Sequence, residues 1–597
     1  MRTIANLESL PDELLLEICK YLLCVDVLLC FDNLNHRFTC LVHDYRRHVS
    51  LHKASYAQSF KLCTEILPQI GAQIQTLVID NCYSALQAIA FPKYFQHSMS
   101  TCFPDLKKII LVSFRPDPLF VFLKTLNHLD KLQTIDMRSL FRVPTSQQTE
   151  VLLALLQANN SRLTSVLIDD QSSHLNPIKK YLPTHAICSN ILHLKIEILT
   201  ICDLAVLFTI IPNVHTLFVS IHKNDNLDRT NRKFKSETLY HLTHFQLKSI
   251  EHSWYLNELR SLLDKLPAIE YLSLNLRTSD VELTNGQILQ NYLPNKIKQF
   301  HYAIHYLPEH TIKCSNILET WKSVYPIRCL YDIEQNDYMF LHTIPYLSFD
   351  YLEISSSVAS AVSKYSNSFE NVLRVHVDCD FTLTEAFPII SCCRKAKYSM
   401  IWLHGTNRQC NNHEQSIQGQ TDQKQTATLP TLPHLRRLTL VGLPPKDLHH
   451  MSTILLAAPN LFRLDLNYNT LLLMLVDDKV CSILRQRITA LTINHMQASS
   501  RYVEENIARI ALTFLHLRHL YVDMRSLEMT IDMMVLYYFD EFVKQKAPLV
   551  SLCADGKPSN EMKLDAKKWL LSHRQYLNEK QLSVYFNEKA GRLLIWM

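Results

Sequence analysis

The sequence predicts an α/β protein: a small helical unit at the N-terminus, then a long, irregular array of strand, turn and helix units, with parallel strands on a concave face and helices on a convex one. Three observations predict it. An apolar triplet at i, i+3 and i+5 recurs along most of the chain, beginning with Ile74, Leu77 and Ile79. Its copies are evenly spaced in the unbroken stretches, from 23 residues (Ile191 to Val214) to 32 residues (Ile74 to Leu106) between successive starts. Pro104, Pro212, Pro267, Pro433 and Pro459 each stand two residues before a triplet, where a helix must end before a strand begins.

The first element is helical. Pro11 suits the first turn, where its missing N–H is not needed, and Asp12 and Glu13 place negative charge at the positive end of the helix dipole. Leu14, Leu15, Ile18 and Leu22 then fall on one apolar stripe. Asp26 is placed to cap a second short helix carrying Val27, Leu28 and Phe31, and Leu34 to Val42 supplies a third. Three short helices bury too small a fraction of their surface to be stable alone, so their apolar faces need a partner or the rest of the chain.

From Leu7 to Leu41 these residues resemble the F-box: the Leu10-Pro11 pair, the acidic Glu13, Leu14-Leu15 and Ile18, Tyr21-Leu22, Asp26, and Leu34-Asn35 with Arg37-Phe38. The family more often has Phe or Leu where Cys19 stands and Leu where Val27 stands. An F-box hangs a substrate receptor on a Skp-type adaptor in a cullin ubiquitin ligase. The resemblance therefore implies an F-box domain over residues 1–50 and adaptor docking through Leu10, Pro11, Leu14, Leu15, Ile18, Leu22 and Leu34.

Residues 51–72 read as connecting helices that stop at Gly71. The triplets then start at Ile74, Leu106, Leu132, Leu163, Ile191, Val214, Leu242, Ile269 and Ile297, resume at Phe349 and Val372, and end at Leu435, Leu461, Ile488 and Leu517. The interval from Ile297 to Phe349 is close to two periods. Between triplets the chain reads as helix, as in Asn257 to Leu266 and Lys446 to Ala458. A short strand, a turn and a helix at this period resemble a leucine-rich repeat solenoid, spanning 73–528. The segment Leu461 to Leu471 has the family's Asn at its ninth place, Asn469, and Cys82 holds that place in the first copy; Phe114, Leu140, Arg277 and Leu443 stand there elsewhere. That side chain satisfies backbone groups in the turn, so its loss predicts an irregular array. A (β/α) barrel would stop at eight units, whereas this pattern runs to about sixteen. The polar stretch 405–428 reads as a disordered insertion. Residues 529–597, with an amphipathic helix around Trp569 and Leu570 and a last strand at Leu593 to Trp596, read as the cap of the array.

Composition excludes several functions. A net charge of +5 with 20% charged residues is neither a nucleic-acid footprint nor an acidic tail. No apolar run approaches a membrane span, and no signal sequence precedes Leu10, so the expected setting is cytoplasmic or nuclear, with no membrane partner. Seventeen cysteines are scattered without a disulfide framework, and 28 histidines show no zinc spacing. Seven glycines leave no phosphate-cradling loop. No metal, cofactor or catalytic residue is expected. Asp169-Asp170 and Asp477-Asp478 are adjacent pairs whose side chains diverge, unlike an acid/base couple.

What remains is binding. Between the apolar positions Arg463, Asp465, Lys195, Asn275 and His519 would face the concave groove and hold a target protein. The resemblance thus implies a non-catalytic substrate-recognition subunit of a Skp, cullin and F-box ligase. The alternative is a leucine-rich repeat scaffold or inhibitor that binds partners without entering a cullin complex. A hydrolase hidden in the α/β chain would instead need a deep pocket with perturbed ionisable groups.

Overall fold

The computed structural model describes residues 7–83, 86–95, 99–141, 143–177, 187–223, 234, 236–308, 313–331, 338–346, 351–363, 369–379, 382–403, 429–442, 448–496, 503–525, 530–546, 548–588 and 591–597. The stretch 405–428, read as an insertion, lies outside them. After a 3-10 turn at Leu7–Ser9 come four short helices, α1 (Asp12–Tyr21), α2 (Cys24–Phe31), α3 (His36–Leu41) and α4 (His43–Arg47). Asp26, expected to cap α2, sits instead in its first turn beyond the cap position Leu23. There it accepts a 2.7 Å hydrogen bond from Gln58 Nε2 and so ties the helices to the next segment.

Among the described residues the remaining strands form two sheets, of twelve and ten strands. The first contains β1 (His48–Ser50), β2 (Thr76–Asp80), β3 (Lys108–Val112), β4 (Thr134–Arg138), β5 (Ser165–Ile168), β6 (His193–Ile198), β7 (Thr216–Ile221), β8 (His244–Ser253), β9 (Tyr271–Thr278), β10 (Gln299–Tyr306), β11 (Ile327–Tyr331) and β12 (Met339–Thr343). Strands β1 to β10 are parallel and lie in chain order; β12 then adds antiparallel to β10, with β11 at the edge. The second sheet contains β13 (Tyr351–Ser355), β14 (Arg374–Cys379), β15 (Tyr398–Leu403), β16 (Arg437–Val441), β17 (Arg463–Asn467), β18 (Ala490–Asn494), β19 (His519–Asp523), β20 (Ser551–Asp555), β21 (Ser583–Asn587) and β22 (Arg592–Trp596). Strands β13 to β20 are parallel in chain order, and the β21–β22 hairpin closes the edge antiparallel to β20. The protein is therefore a mixed α/β molecule with two large, mostly parallel sheets and no closed barrel.

The triplets explain why parallel strands form. In each copy the second and third apolar residues are two apart in a strand, so they share a face. Leu77, Ile109, Ile135, Val166, Leu194 and Leu217 lie directly opposite one another from strand to strand, all buried. Leu438, Leu464, Leu491, Leu520 and Leu552 form the same row in the second sheet. Helical crossovers return the chain to the same edge, as parallel pairing requires, and several are locally specified. Thr200 and Asp203 make a capping box at the start of Ile201–Ile210, as do Ser55 and Gln58 before Tyr56–Lys61. Asparagine side chains bind the turns of neighbouring units: Asn159 Nδ2 donates to the Leu129 carbonyl at 2.8 Å, and Asn460 Nδ2 to that of Pro433 at 2.7 Å.

Four features differ from the sequence reading. Strand β1 falls within residues 1–50, so the end of that segment belongs to the sheet. The interval after Ile297 holds the antiparallel strands β11 and β12 rather than a further parallel unit, which divides the array into two sheets. Strand β20 continues the parallel order inside the segment read as a cap. Asn469 stands exposed in the helix Tyr468–Met474 and is no turn residue. Gly71 does end a helical stretch, but its φ is −55°; it is needed because a Cβ there would lie 2.1 Å from the Cys102 carbonyl oxygen.

Strand β10 is buried on both faces, with Tyr302 and Ile304 in the core of the first sheet and Ala303 in that of the second. Burial at this junction pushes the imidazoles of His305 and His342 down to about 4. His305 bonds the Tyr338 hydroxyl at 2.8 Å and Asn275 Oδ1 at 3.1 Å, contacts that suit a neutral ring. Because the folded values lie below the ordinary 6.5, this stability is complete above pH 6.5 and is lost as pH falls toward 4. Urea midpoints should decline over that window. His342→Leu should flatten the slope by up to about 1.4 kcal/mol per pH unit, one proton's worth; an unchanged slope contradicts the assignment.

The two ends of the chain meet. Tyr56 N–H donates to the Met597 carbonyl at 3.1 Å and Trp596 Nε1 to the Ala54 carbonyl at 3.1 Å. Trp596 is fully buried among Leu86, Val550 and Leu594. Trp596→Ala should cost about 3–5 kcal/mol in urea unfolding, and a loss below about 1 kcal/mol would show that the ends are not joined in solution.

Candidate functional site

Two regions carry the residues singled out by sequence. In the N-terminal helices, Leu15 and Cys19 of α1 turn inward onto Val27, Phe31, Phe38 and Val42, with the Phe31 and Phe38 rings stacked at 5.4 Å. Leu15 is 2% exposed and belongs to this small core, which removes it from the set facing outward. Leu14 and Leu34 are about half exposed, Ile18 and Leu22 more than a third, and Tyr21 83%. Pro11 is exposed and Leu10 half-buried at the mouth of the core. Arg37 fixes this entry by donating to Asp12 Oδ1 at 2.7 Å and to the carbonyls of Glu8 and Leu10. Asn35 caps α3 through the Phe38 N–H at 3.0 Å.

The other side of α2 faces the first sheet, where Val25 and Leu28 join the large core. Between them the Arg46 guanidinium pairs with Asp32, whose side chain is 2% exposed. Removing one partner of a buried pair strands the other, so Arg46→Ala should destabilise the helical unit by about 3–5 kcal/mol. Hydrogen exchange across α1 to α4 is the readout, and unchanged protection would refute the role given to the pair.

The second region is the space between the sheets. Their open faces turn toward each other and touch. Arg374 Nη2 lies 2.7 Å from Asp170 Oδ2, and Arg437 Nη1 donates to Gln171 Oε1 at 3.3 Å. Lys248 Nζ sits 3.4 Å from the Tyr351 ring centroid and 3.9 Å from Glu353. Arg463 Nη1 reaches Cys82 Sγ at 3.1 Å, and the Tyr83 and His519 rings meet edge-on at 4.6 Å. What stays open is a cavity of about 620 Å³ lined from both sheets and by Tyr585 and Asn587 of the terminal hairpin.

The five groove residues are placed differently from expectation. Asp465 is buried and accepts from Arg437 Nε at 2.5 Å and Arg463 Nε at 3.1 Å. Asn275 is 1% exposed and bonded to His305. Lys195 pairs with Asp170 at 3.2 Å, and His519, 6% exposed, bonds Ser551 Oγ at 3.0 Å. Only Arg463 and His519 of the five line the cavity, and none is an open contact surface for a protein, because the facing sheet occupies the groove. The sequence reading missed the row to which Arg463 belongs: Tyr351, Arg374, Tyr398, Arg437, Arg463, Ala490 and His519 are opposite one another as the first residues of β13 to β19. Each stands directly before the second position of its unit, so aligning the copies would have exposed the cationic and aromatic run.

The electrostatics follow from burial and pairing. Burial pushes the Asp170 carboxyl up, but Lys195, Arg374 and Lys248 outweigh it and bring it down to about 2. Glu353 likewise stays below its usual range, burial being overcome by Lys248, His376 and the Tyr351 hydroxyl. For Lys248 burial is the stronger effect and lowers its ammonium. Among the described residues no group of three His, Cys, Asp or Glu side chains is placed to hold a metal, and no helix is long and apolar enough to cross a membrane. Asp169 and Asp170 diverge as expected: Asp169 accepts from the Ser139 N–H and Asp170 joins the ion pairs above. No protein-family model and no curated protein matches the chain.

Proposed function

We propose that this chain is a non-catalytic substrate receptor of a Skp, cullin and F-box ubiquitin ligase, acting in the cytoplasm or nucleus. One observation carries the reading: α1 keeps Leu15 and Cys19 for its own core and leaves Leu14, Ile18 and Leu22 outside, with Leu34 and Tyr21. Leu14, Ile18, Leu22 and Leu34 are among the residues that the F-box resemblance assigns to the adaptor. A patch of large apolar side chains on a unit anchored by Val25 and Leu28 is the kind of surface that a partner covers. In this reading the two sheets are halves of one irregular leucine-rich repeat solenoid that curls until its faces meet. A target protein then docks on the rims or the helical side, since the groove is filled. The ligase mechanism is proximity, which raises the target's effective concentration beside a ubiquitin-conjugating enzyme.

The test is retention of a Skp-type adaptor by the full-length chain. Leu14→Ala with Ile18→Ala should abolish capture while far-UV circular dichroism is unchanged. Leu15→Ala should instead destabilise the helical unit by about 2–4 kcal/mol. Deleting residues through Ser50 is a poor control, because it strips fully buried Val49 from β1. A folded full-length chain that never captures adaptor would overturn the proposal in favour of a leucine-rich repeat scaffold that enters no cullin complex.

A further inference from the structure

The cavity between the sheets has a charge left over. Its lining carries five Arg or Lys side chains (Arg115, Lys248, Arg374, Arg437 and Arg463) and three carboxylates (Asp170, Glu197 and Glu353). Most are already matched: Arg374 with Asp170, Lys248 with Glu353, Glu197 with His222 at 3.0 Å, and Arg437 and Arg463 with Asp465 behind them. Arg115 differs. Its Nη1 is buried with no hydrogen-bond partner among the described residues. The carboxylate across from it, Asp555, is engaged by both Nε and Nη2 of Arg592 and by the Tyr521 hydroxyl at 2.9 Å. Arg592 thus engages a carboxylate that also acts on Arg115. Burial, reinforced by the nearby Arg592, lowers the Arg115 guanidinium from its ordinary range against the opposing pull of Asp555.

Arg115 as a whole is only partly buried, but its Nη1 is enclosed, and a donor taken out of water without a partner carries a cost. An anion in the cavity would remove that cost. The surroundings say what kind. Arg115 and Arg592 both approach the Phe141 ring, at 5.3 and 5.0 Å from its centroid, and Tyr83, Tyr398, Tyr521 and Tyr585 contribute further ring surface to the lining. About 620 Å³ is the size of a small organic molecule's pocket and too small for a folded protein element. We propose that this cavity binds a small organic anion, with its carboxylate or phosphate head on Arg115 and a flat apolar body against Phe141 and the neighbouring tyrosines. The site is formed by the loop after β3, by β19, β20 and β22, and by the terminal hairpin, so it exists only while the two ends of the chain are joined. It stands independently of adaptor docking.

Calorimetric titration of the full-length chain with 1-naphthoate, 1-naphthyl phosphate and neutral 1-naphthamide tests it. At least one of the two anions should bind with one-to-one stoichiometry, the better one identifying the head group, and the amide should bind at least ~10-fold more weakly for want of the charge. Arg115→Met should weaken binding of the preferred anion at least ~10-fold, the loss of a charge-assisted hydrogen bond. Without ligand, the same variant should melt at or above the wild-type temperature, because it deletes a buried donor that has no partner. Arg115→Lys, which keeps the charge but not the fork, should fall between. The proposal is overturned if neither anion binds the folded wild type at millimolar concentration, if the amide binds as well as the anions, or if Arg115→Met binds unchanged. A ligand-free Arg115→Met that melts well below wild type would overturn it too, by showing that the guanidinium is already satisfied.

Discussion

Everything in this molecule depends on the second sheet facing the first. Parallel strands with one apolar face can be covered by their own crossover helices, and here they are, but the opposite face is left to solvent or to a partner. The chain supplies that partner itself. Residues more than two hundred positions apart meet in Arg374 with Asp170, and the pairing recurs along the contact in Lys248 with Glu353 and Arg463 with Cys82. The contact is polar because each open face carries the residues that alternate with the core. Charged pairs that are partly buried and hydrogen-bonded impose a register on the two sheets that apolar contact alone would not.

Closure also changes what the ends of the chain do. Strand β22 pairs between β20 and β21 in the second sheet and at the same time hands Trp596 to the segment following β1, beside the N-terminal helices. The helical unit is tied to the next segment by Gln58 with Asp26 and braced internally by the Arg46 and Asp32 pair. A partner bound on α1 as proposed would therefore sit on helices packed against the first sheet, and a ligand held near Arg115 would lie behind the same closure. That arrangement also explains why the groove residues expected to hold a target are engaged internally.

The sequence was informative where a single periodicity dominates. Every triplet start from Ile74 to Leu517 led to a strand, because apolar residues two apart must share a buried face. Two elements were missed because a polar residue occupies a position of the pattern. In β15 the middle position is Ser399, fully buried in the row between Val375 and Leu438. Before β1 the first position is Arg46, which can be buried only because Asp32 neutralises it. The antiparallel strands β11 and β12 follow no repeat at all. The inward turn of Leu15 depends on which stripe of α1 its neighbours cover. The cavity was illegible for a different reason: it brings together loops and strands from opposite ends of the chain, and nothing local to Arg115 announces Asp555 or Arg592.

The most direct test of this account is a double-mutant cycle across the contact, combining Asp170→Asn with Arg374→Met and reading stability by urea unfolding. Facing sheets predict a coupling energy of at least about 1 kcal/mol between these residues. Strict additivity, within about 0.3 kcal/mol, would mean that the two side chains do not meet in solution and that the sheets do not close on each other.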